Sequence, residues 1–304
     1  MKTVRSLIAA SIVAATGSAF AQVEAVDMAA PLFNANWQSS DVKAAFNSGY
    51  TGQGTRITVV DEYRATAQQI TGRMLAAGLQ RQTHGYWTSE EANLTAPGAT
   101  IVRQQFATGA PISLAPTGLN VINASYGMVA AYGLTNVRLG GTETSMVSYA
   151  KNGQAVVVKA AGNDAVNMLT RNVYGQNDYL SVNLKGAKSA IFVGALDKNG
   201  SATSKANIAS YSNRAGTDAV VQKQFLMAGV AANQTGLAGT SFAAPIVSGY
   251  AAILGSKFKT AGATQITNQL LNTARTDTIN GYNVAVHGRG EASLTRALAP
   301  VAIR

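Results

Sequence analysis

The chain contains no cysteine, only two histidines and six prolines, and charged side chains at just 12% of its 304 positions. Without cysteine there is no disulfide framework, so stability has to come from the buried core, and a cysteine hydrolase is excluded. Any imidazole chemistry falls to His84 or His287. The acidic residues are scattered, with no Asp-x-Asp-x-Asp run to gather oxygen ligands, so the sequence supports no metal site. Internal repeats, heptad arrays and low-complexity tails are also missing.

Apolar residues make up 47% of the chain, and its length is ample for one large core. The formal charge is +10. A basic balance invites nucleic acid or an anionic surface as partner. Here the charges are dispersed, with no cluster of five or more Lys and Arg, so a solvated basic surface is the favoured reading. No specific nucleic-acid partner is expected, and weak contact with anionic envelope polymers is the residual expectation.

The first residues follow a different pattern. Lys2 and Arg5 give a basic start, Leu7 to Ala15 forms a short apolar stretch, and Ala19-Phe20-Ala21 offers small residues for cleavage before Gln22. Residues 1–21 thus read as a signal peptide and 22–304 as the mature domain, exported to the periplasm or the medium. The apolar stretch is too short to anchor the chain across a membrane, and no later segment is long enough to span one. Without Lys2 and Arg5 the charge is +8, from 22 basic and 14 acidic residues.

Beyond the leader, β-rich apolar runs near 57–61, 99–106, 120–125, 155–160 and 190–196 alternate with helical patterns near 38–48, 65–79, 142–152, 241–256 and 263–275. This alternation predicts an α/β fold, a single-domain parallel β-sheet with helices on both faces. Stretches rich in Gly, Asn and Thr at 108–118, 162–180 and 229–239 predict loops that shape a cleft at one sheet edge.

The most informative segment is Gly239-Thr240-Ser241-Phe242-Ala243-Ala244-Pro245. It places a hydroxyl at the head of an apolar run, Ile246 to Leu254, whose composition predicts a helix buried all round. Gly239 permits a sharp turn, Thr240 is a candidate cap, and Ser241 meets the positive end of the helix dipole. A serine hydroxyl is a weak nucleophile at neutral pH and needs an imidazole to take its proton.

At these residues the chain resembles the subtilisin-like serine proteases, whose nucleophile motif reads Gly-Thr-Ser-x-Ala-x-Pro. Further segments occur in that family's order: Arg56 to Asp61, a β-branched run ending in a carboxylate; His84-Gly85; Val121 to Gly127; and Ala155 to Asn163. The resemblance runs from about residue 40 to about residue 297. It implies Ser241 as nucleophile, His84 as general base, Asp61 as the carboxylate orienting that base, and Asn163 in the oxyanion hole with the Ser241 N–H. It further implies that Ser125-Tyr126-Gly127 and Ala160-Ala161-Gly162 form the two walls of a substrate cleft for polypeptides, with no cofactor.

Several departures accompany the likeness. Trp87 stands where the family has a second histidine, and the text from His84 to Leu94 is bulkier and more polar than usual, which predicts a short helix or one with a solvated face. Glu62 adds a carboxylate beside Asp61 and could perturb its charge balance. The stretch from Leu94 to Pro97 leaves no room for the family's frequent calcium loop, and no long pro-segment follows the leader. His287-Gly288 falls after Ser241, in what resembles the family's closing segment. Two rival readings stand beside a protease: a catalytically impaired member of the fold that binds peptides or a protein partner, and a basic envelope-binding protein. An α/β-hydrolase esterase is disfavoured because Ser241 is not in Gly-x-Ser-x-Gly and the histidine precedes it.

Overall fold

The structure is a computed structural model that describes residues 36–68, 76 and 78–303. The predicted leader at 1–21 and most of the predicted helix at 65–79 lie outside the described residues; Ala65–Ala67 form a single 3₁₀ turn. The strands are β1 (Arg56–Asp61), β2 (Thr100–Gln105), β3 (Asn120–Ala124), β4 (Val129–Ala131), β5 (Val156–Ala160), β6 (Gln176–Asp178), β7 (Ala190–Leu196) and β8 (Phe225–Gly229). The helices are α1 (Ser40–Asn47), α2 (His84–Thr95), α3 (Gly141–Asn152), α4 (Tyr179–Leu184), α5 (Ala219–Gln224), α6 (Ala232–Thr235), α7 (Ala244–Lys257), α8 (Ala263–Asn272), α9 (Val284–His287) and α10 (Leu294–Leu298).

Six strands form one parallel sheet in the order β2-β1-β3-β5-β7-β8, and β4 and β6 make a small antiparallel ribbon. The α/β expectation therefore holds, and five of the six sheet strands fall on the predicted runs. β8 was not among them: a five-residue apolar run such as Phe225–Gly229 carries no period that separates strand from helix. The chain steps from β1 out to β2, then returns past β1 to β3 and continues the other way. At such a reversal the connections diverge and open a crevice at the carboxyl ends of the strands. Asp61 ends β1 at this crevice and Ser125 follows β3.

Alternating residues of the sheet feed two cores. Val59, Val121, Val156 and Val158 point into one, with α7 and α8; Val60, Ile122, Val157 and Ala161 point into the other, with α3 and α4. Every residue of α7 from Ala244 to Ser256 is buried, as the composition of that run predicts. α2 lies alongside it so closely that a Cβ on Gly249 would sit 2.4 Å from Thr95 Cγ2. At the edge of the fold the buried Asp41, near the start of α1, accepts hydrogen bonds from the Ser293 hydroxyl (3.1 Å) and the Thr295 N–H (3.0 Å), joining α1 to the start of α10.

The tight α2–α7 contact generates a prediction. Gly249→Ala forces Thr95 or the helix backbone to move, an overpacking cost of about 1–3 kcal/mol; urea denaturation should show that loss with an unchanged slope.

A second prediction comes from Glu91 on the inner face of α2, which is fully buried with neither carboxylate oxygen hydrogen-bonded among the described residues. Burial holds its carboxyl well above the ordinary 4.5, so the folded group keeps a proton that the unfolded chain releases. Its contribution to stability therefore falls as pH rises past 4.5 and stays low above the folded value. Glu91→Gln removes the titration, and the gap between variant and parent denaturation midpoints should widen in the variant's favour with rising pH. A gap that stays flat would show that Glu91 does not ionise this way.

Candidate active site

Asp61 is buried at the end of β1, and its carboxylate is fixed from three sides. Oδ1 accepts the Glu62 N–H at 2.7 Å and faces His84 Nδ1 at 2.7 Å, while Oδ2 accepts the Thr88 hydroxyl at 2.9 Å. His84 opens α2, which Thr83 caps by accepting the Tyr86 N–H at 3.1 Å. Burial works against a charged His84 ring, but the Asp61 carboxylate outweighs it and holds the imidazole above its ordinary value. With Nδ1–H donated to Asp61, the neutral ring carries its basic lone pair on Nε2.

The departures around this pair resolve differently from expectation. α2 is a 12-residue helix with His84, Gly85, Trp87, Thr88, Ser89, Glu91, Ala92 and Thr95 buried, neither short nor broadly solvated. Two of its polar residues turn inward onto partners, Thr88 on Asp61 and Ser89 on the Tyr63 hydroxyl at 2.8 Å, while Glu91 turns inward without one among the described residues. Glu62 is compensated by Arg64, whose Nε donates to it at 2.8 Å. Burial pushes the Glu62 carboxyl up, yet the Arg64 guanidinium and N–H bring it below its usual value.

Ser241 lies in a 3₁₀ turn, Thr240–Phe242, that leads into α7. Gly239 enters this turn at φ +139°, a conformation open to glycine. Ser241 is buried, and its hydroxyl donates to the Ser125 carbonyl at 3.0 Å. In return the Ser125 hydroxyl donates to the Ser241 carbonyl at 2.9 Å. Asn123 extends the lattice, donating to Ser125 Oγ at 2.9 Å and accepting from Ser248 on α7 at 3.1 Å. The His84 ring packs 5.6 Å from that of Phe242, so the imidazole and the Ser241 turn are neighbours.

Thr240 does not cap α7. Its hydroxyl donates to Asn163 Oδ1 at 3.0 Å and accepts the Gly162 N–H at 3.0 Å, while its own N–H donates to Asn163 Oδ1 at 2.8 Å. An amide N–H can only donate, so the Asn163 atom facing it is the oxygen, and the side-chain NH₂ is aimed the other way. A Cβ on Gly239 would come within 3.3 Å of that nitrogen.

Ser125 and Gly127 on one side and Ala160, Ala161 and Gly162 on the other border a cleft that reaches Ser241. Tyr126 contributes its backbone, while its side chain turns into the core, 5.0 Å from the Phe106 ring and hydrogen-bonded to Glu143 at 2.8 Å. His287 takes no part; it is buried, accepts the Asn283 N–H at 3.0 Å and stacks on Tyr282.

Four contributors escaped the sequence reading. Thr88 orients Asp61. Asn213 braces the second wall, donating to the Ala161 carbonyl at 2.9 Å and accepting the Asp164 and Val166 N–H groups at 3.1 and 3.2 Å. Lys159 and Asp178 form an ion pair at 2.9 Å inside the cleft. Only Lys159 left a signal, a charge within Val156-Val157-Val158-Lys159-Ala160-Ala161.

Comparison with solved structures finds the same architecture at low identity. A lanthipeptide protease is 18% identical, with a TM-score of 0.52, over 88% of this chain and 95% of its own. The MycP3 protease from the type VII (ESX-3) secretion system is 19% identical, with a TM-score of 0.53, over 85% of this chain and 86% of its own. A psychrophilic protease is 19% identical, with a TM-score of 0.53, over 83% of this chain and 97% of its own. No curated protein matches at a significant level. The model of the Subtilase family matches residues 72–291, a span that takes in His84, Asn163 and Ser241 and begins after Asp61. With most of its length matched and the parallel sheet in place, the chain belongs to the subtilase family of serine proteases.

Proposed function

We propose that the protein hydrolyses peptide bonds through Ser241 as nucleophile, His84 as general base, Asp61 as the group orienting His84, and Asn163 as an oxyanion donor. The observation that carries this reading is the buried Asp61–His84 pair at 2.7 Å, set beside the Ser241 turn. In this reading the Ser241 side chain rotates away from the Ser125 carbonyl to present its hydroxyl to His84 Nε2. The imidazole takes the proton as Oγ attacks the acyl carbon, and later delivers it to the leaving amine. Asp61 stabilises the imidazolium meanwhile. The developing oxyanion receives the Asn163 NH₂ and the Ser241 N–H. An extended polypeptide lies between the segments 125–127 and 160–162, held by backbone pairing that tolerates many side chains.

The mature enzyme in this reading comprises residues 22–304 and is exported after removal of residues 1–21. Mass spectrometry of the protein recovered outside the cytoplasm should give a chain that starts at Gln22; an intact Met1 on that material would overturn the cleavage, and protein found in the cytoplasm alone would overturn the export.

A serine-reactive fluorophosphonate probe tests the chemistry. Labelling is expected at Ser241 and should vanish in His84→Ala. In peptide hydrolysis Ser241→Ala and His84→Ala should each lower kcat by about 10⁶-fold, and the double variant hardly further, because the residues act as one unit. Since His84 must be neutral to act and is held above 6.5, activity should rise with pH through a value above 6.5. The resting bond from Ser241 to Ser125 favours one alternative, a peptide-binding protein without turnover. Folded protein that the probe leaves unlabelled would establish that alternative.

A further inference from the structure

The cleft has a feature that the hydrolytic chemistry does not use. By strand alternation Lys159 shares the face of β5 with Val157 and Ala161, an otherwise apolar layer, and it is only 2% exposed. Its ammonium donates to the Ala160 carbonyl at 2.6 Å, on one wall, and pairs with Asp178 Oδ2 at 2.9 Å. Asp178 belongs to the other wall: a Cβ on Gly127 would lie 3.3 Å from its carboxylate. The ion pair therefore bridges the two walls inside the cleft.

The two partners are unequally occupied. Asp178 Oδ1 accepts the Met128 and Leu180 N–H groups at 2.9 and 3.1 Å, and Oδ2 accepts the Ser181 hydroxyl at 2.8 Å as well as Lys159. A carboxylate has about four lone-pair sites, and all are filled. An ammonium has three N–H donors, and among the described residues Lys159 uses two. The pair thus offers the cleft a donor and no acceptor.

That asymmetry decides which side chain fits. The residue preceding the scissile bond carries the carbonyl that Ser241 attacks, so its side chain enters the cleft beside Ser241. A basic side chain meets the Lys159 charge and finds Asp178 filled, which leaves it Asp164 alone as a partner. A carboxylate meets Asp178 and also Asp164, which lines the same cleft. An apolar side chain covers the third Lys159 N–H and returns no bond, a loss that buried polar groups make costly. A neutral side chain ending in an acceptor oxygen satisfies the donor without adding charge.

We infer that the Lys159–Asp178 pair is a specificity determinant, selecting a neutral, acceptor-bearing side chain such as that of glutamine or asparagine immediately before the scissile bond. The inference rests on the proteolytic reading of the cleft. It is tested with peptides that differ only at that residue, carrying Gln, Glu, Leu, Phe or Arg. Gln should exceed each of the others in kcat/KM, and Leu by about 10- to 100-fold, the value of one hydrogen bond to a charged group. A highest rate with Leu, Phe, Glu or Arg overturns it.

Lys159→Met combined with Asp178→Asn removes both charges together and should bring Gln and Leu to near-equal rates. If that variant fails to fold, the series on the unaltered enzyme still decides. Binding separates this inference from the catalytic one: Ser241→Ala protein should bind product peptides ending in Gln about 10-fold more tightly than those ending in Leu. Such a preference without turnover in the unaltered protein would sink the proteolytic reading and leave the pocket standing. Turnover without the preference, or no binding of either peptide, would sink the pocket.

Discussion

The contact between α2 and α7 is the constraint on which the site depends. His84 stands at the head of α2, and the Ser241 turn leads into α7. The two helices run side by side from the His84–Phe242 ring contact at one end to the Thr95–Gly249 contact at the other. With α7 buried along nearly its whole length, it has no solvent face on which to slide or rotate. The separation of imidazole and hydroxyl is therefore set by packing many residues away from either group. The lattice through Ser248, Asn123 and Ser125 adds a polar tie between α7 and the sheet at the same level.

Charge in this region is handled locally. Asp61 is held by three donors, Glu62 by Arg64, and Asp178 by Lys159 together with two N–H groups and a hydroxyl. Buried ion pairs contribute little net stability, because desolvation offsets attraction. Their effect here is positional: Lys159 and Asp178 fix the distance between β5 and β6, which belong to different sheets and do not pair with each other. Glu91 is the exception, a buried acid without a hydrogen-bond partner among the described residues, and burial holds its carboxyl well above the usual value.

Much of this was legible in the sequence because it depends on short-range pattern. The β-branched runs ending at Asp61 and Ala160 and the largely apolar run after Ser241 announce parallel strands and a buried helix directly. The inward turn of Thr88 was not legible: a polar residue on a helix looks solvated unless the residue opposite is known, and its partner lies 27 positions earlier. Asp178 shows the same limit, since its neighbours Met128 and Lys159 come from separate segments. Thr240 was misread as a cap because cap preference is local, whereas the Asn163 side chain that captures it arrives from 77 positions away. Side-chain partners brought together by the crossovers of a parallel sheet are outside the reach of periodicity.

The Asp41 carboxylate joins elements that lie about as far apart in the chain as the described fold allows, with 252 positions between it and Ser293. Such a bond cannot form until Ser293 and Thr295 have been made. Closure of the fold thereby waits on residues far along the chain, and contacts of this sequence separation slow the search for the native state.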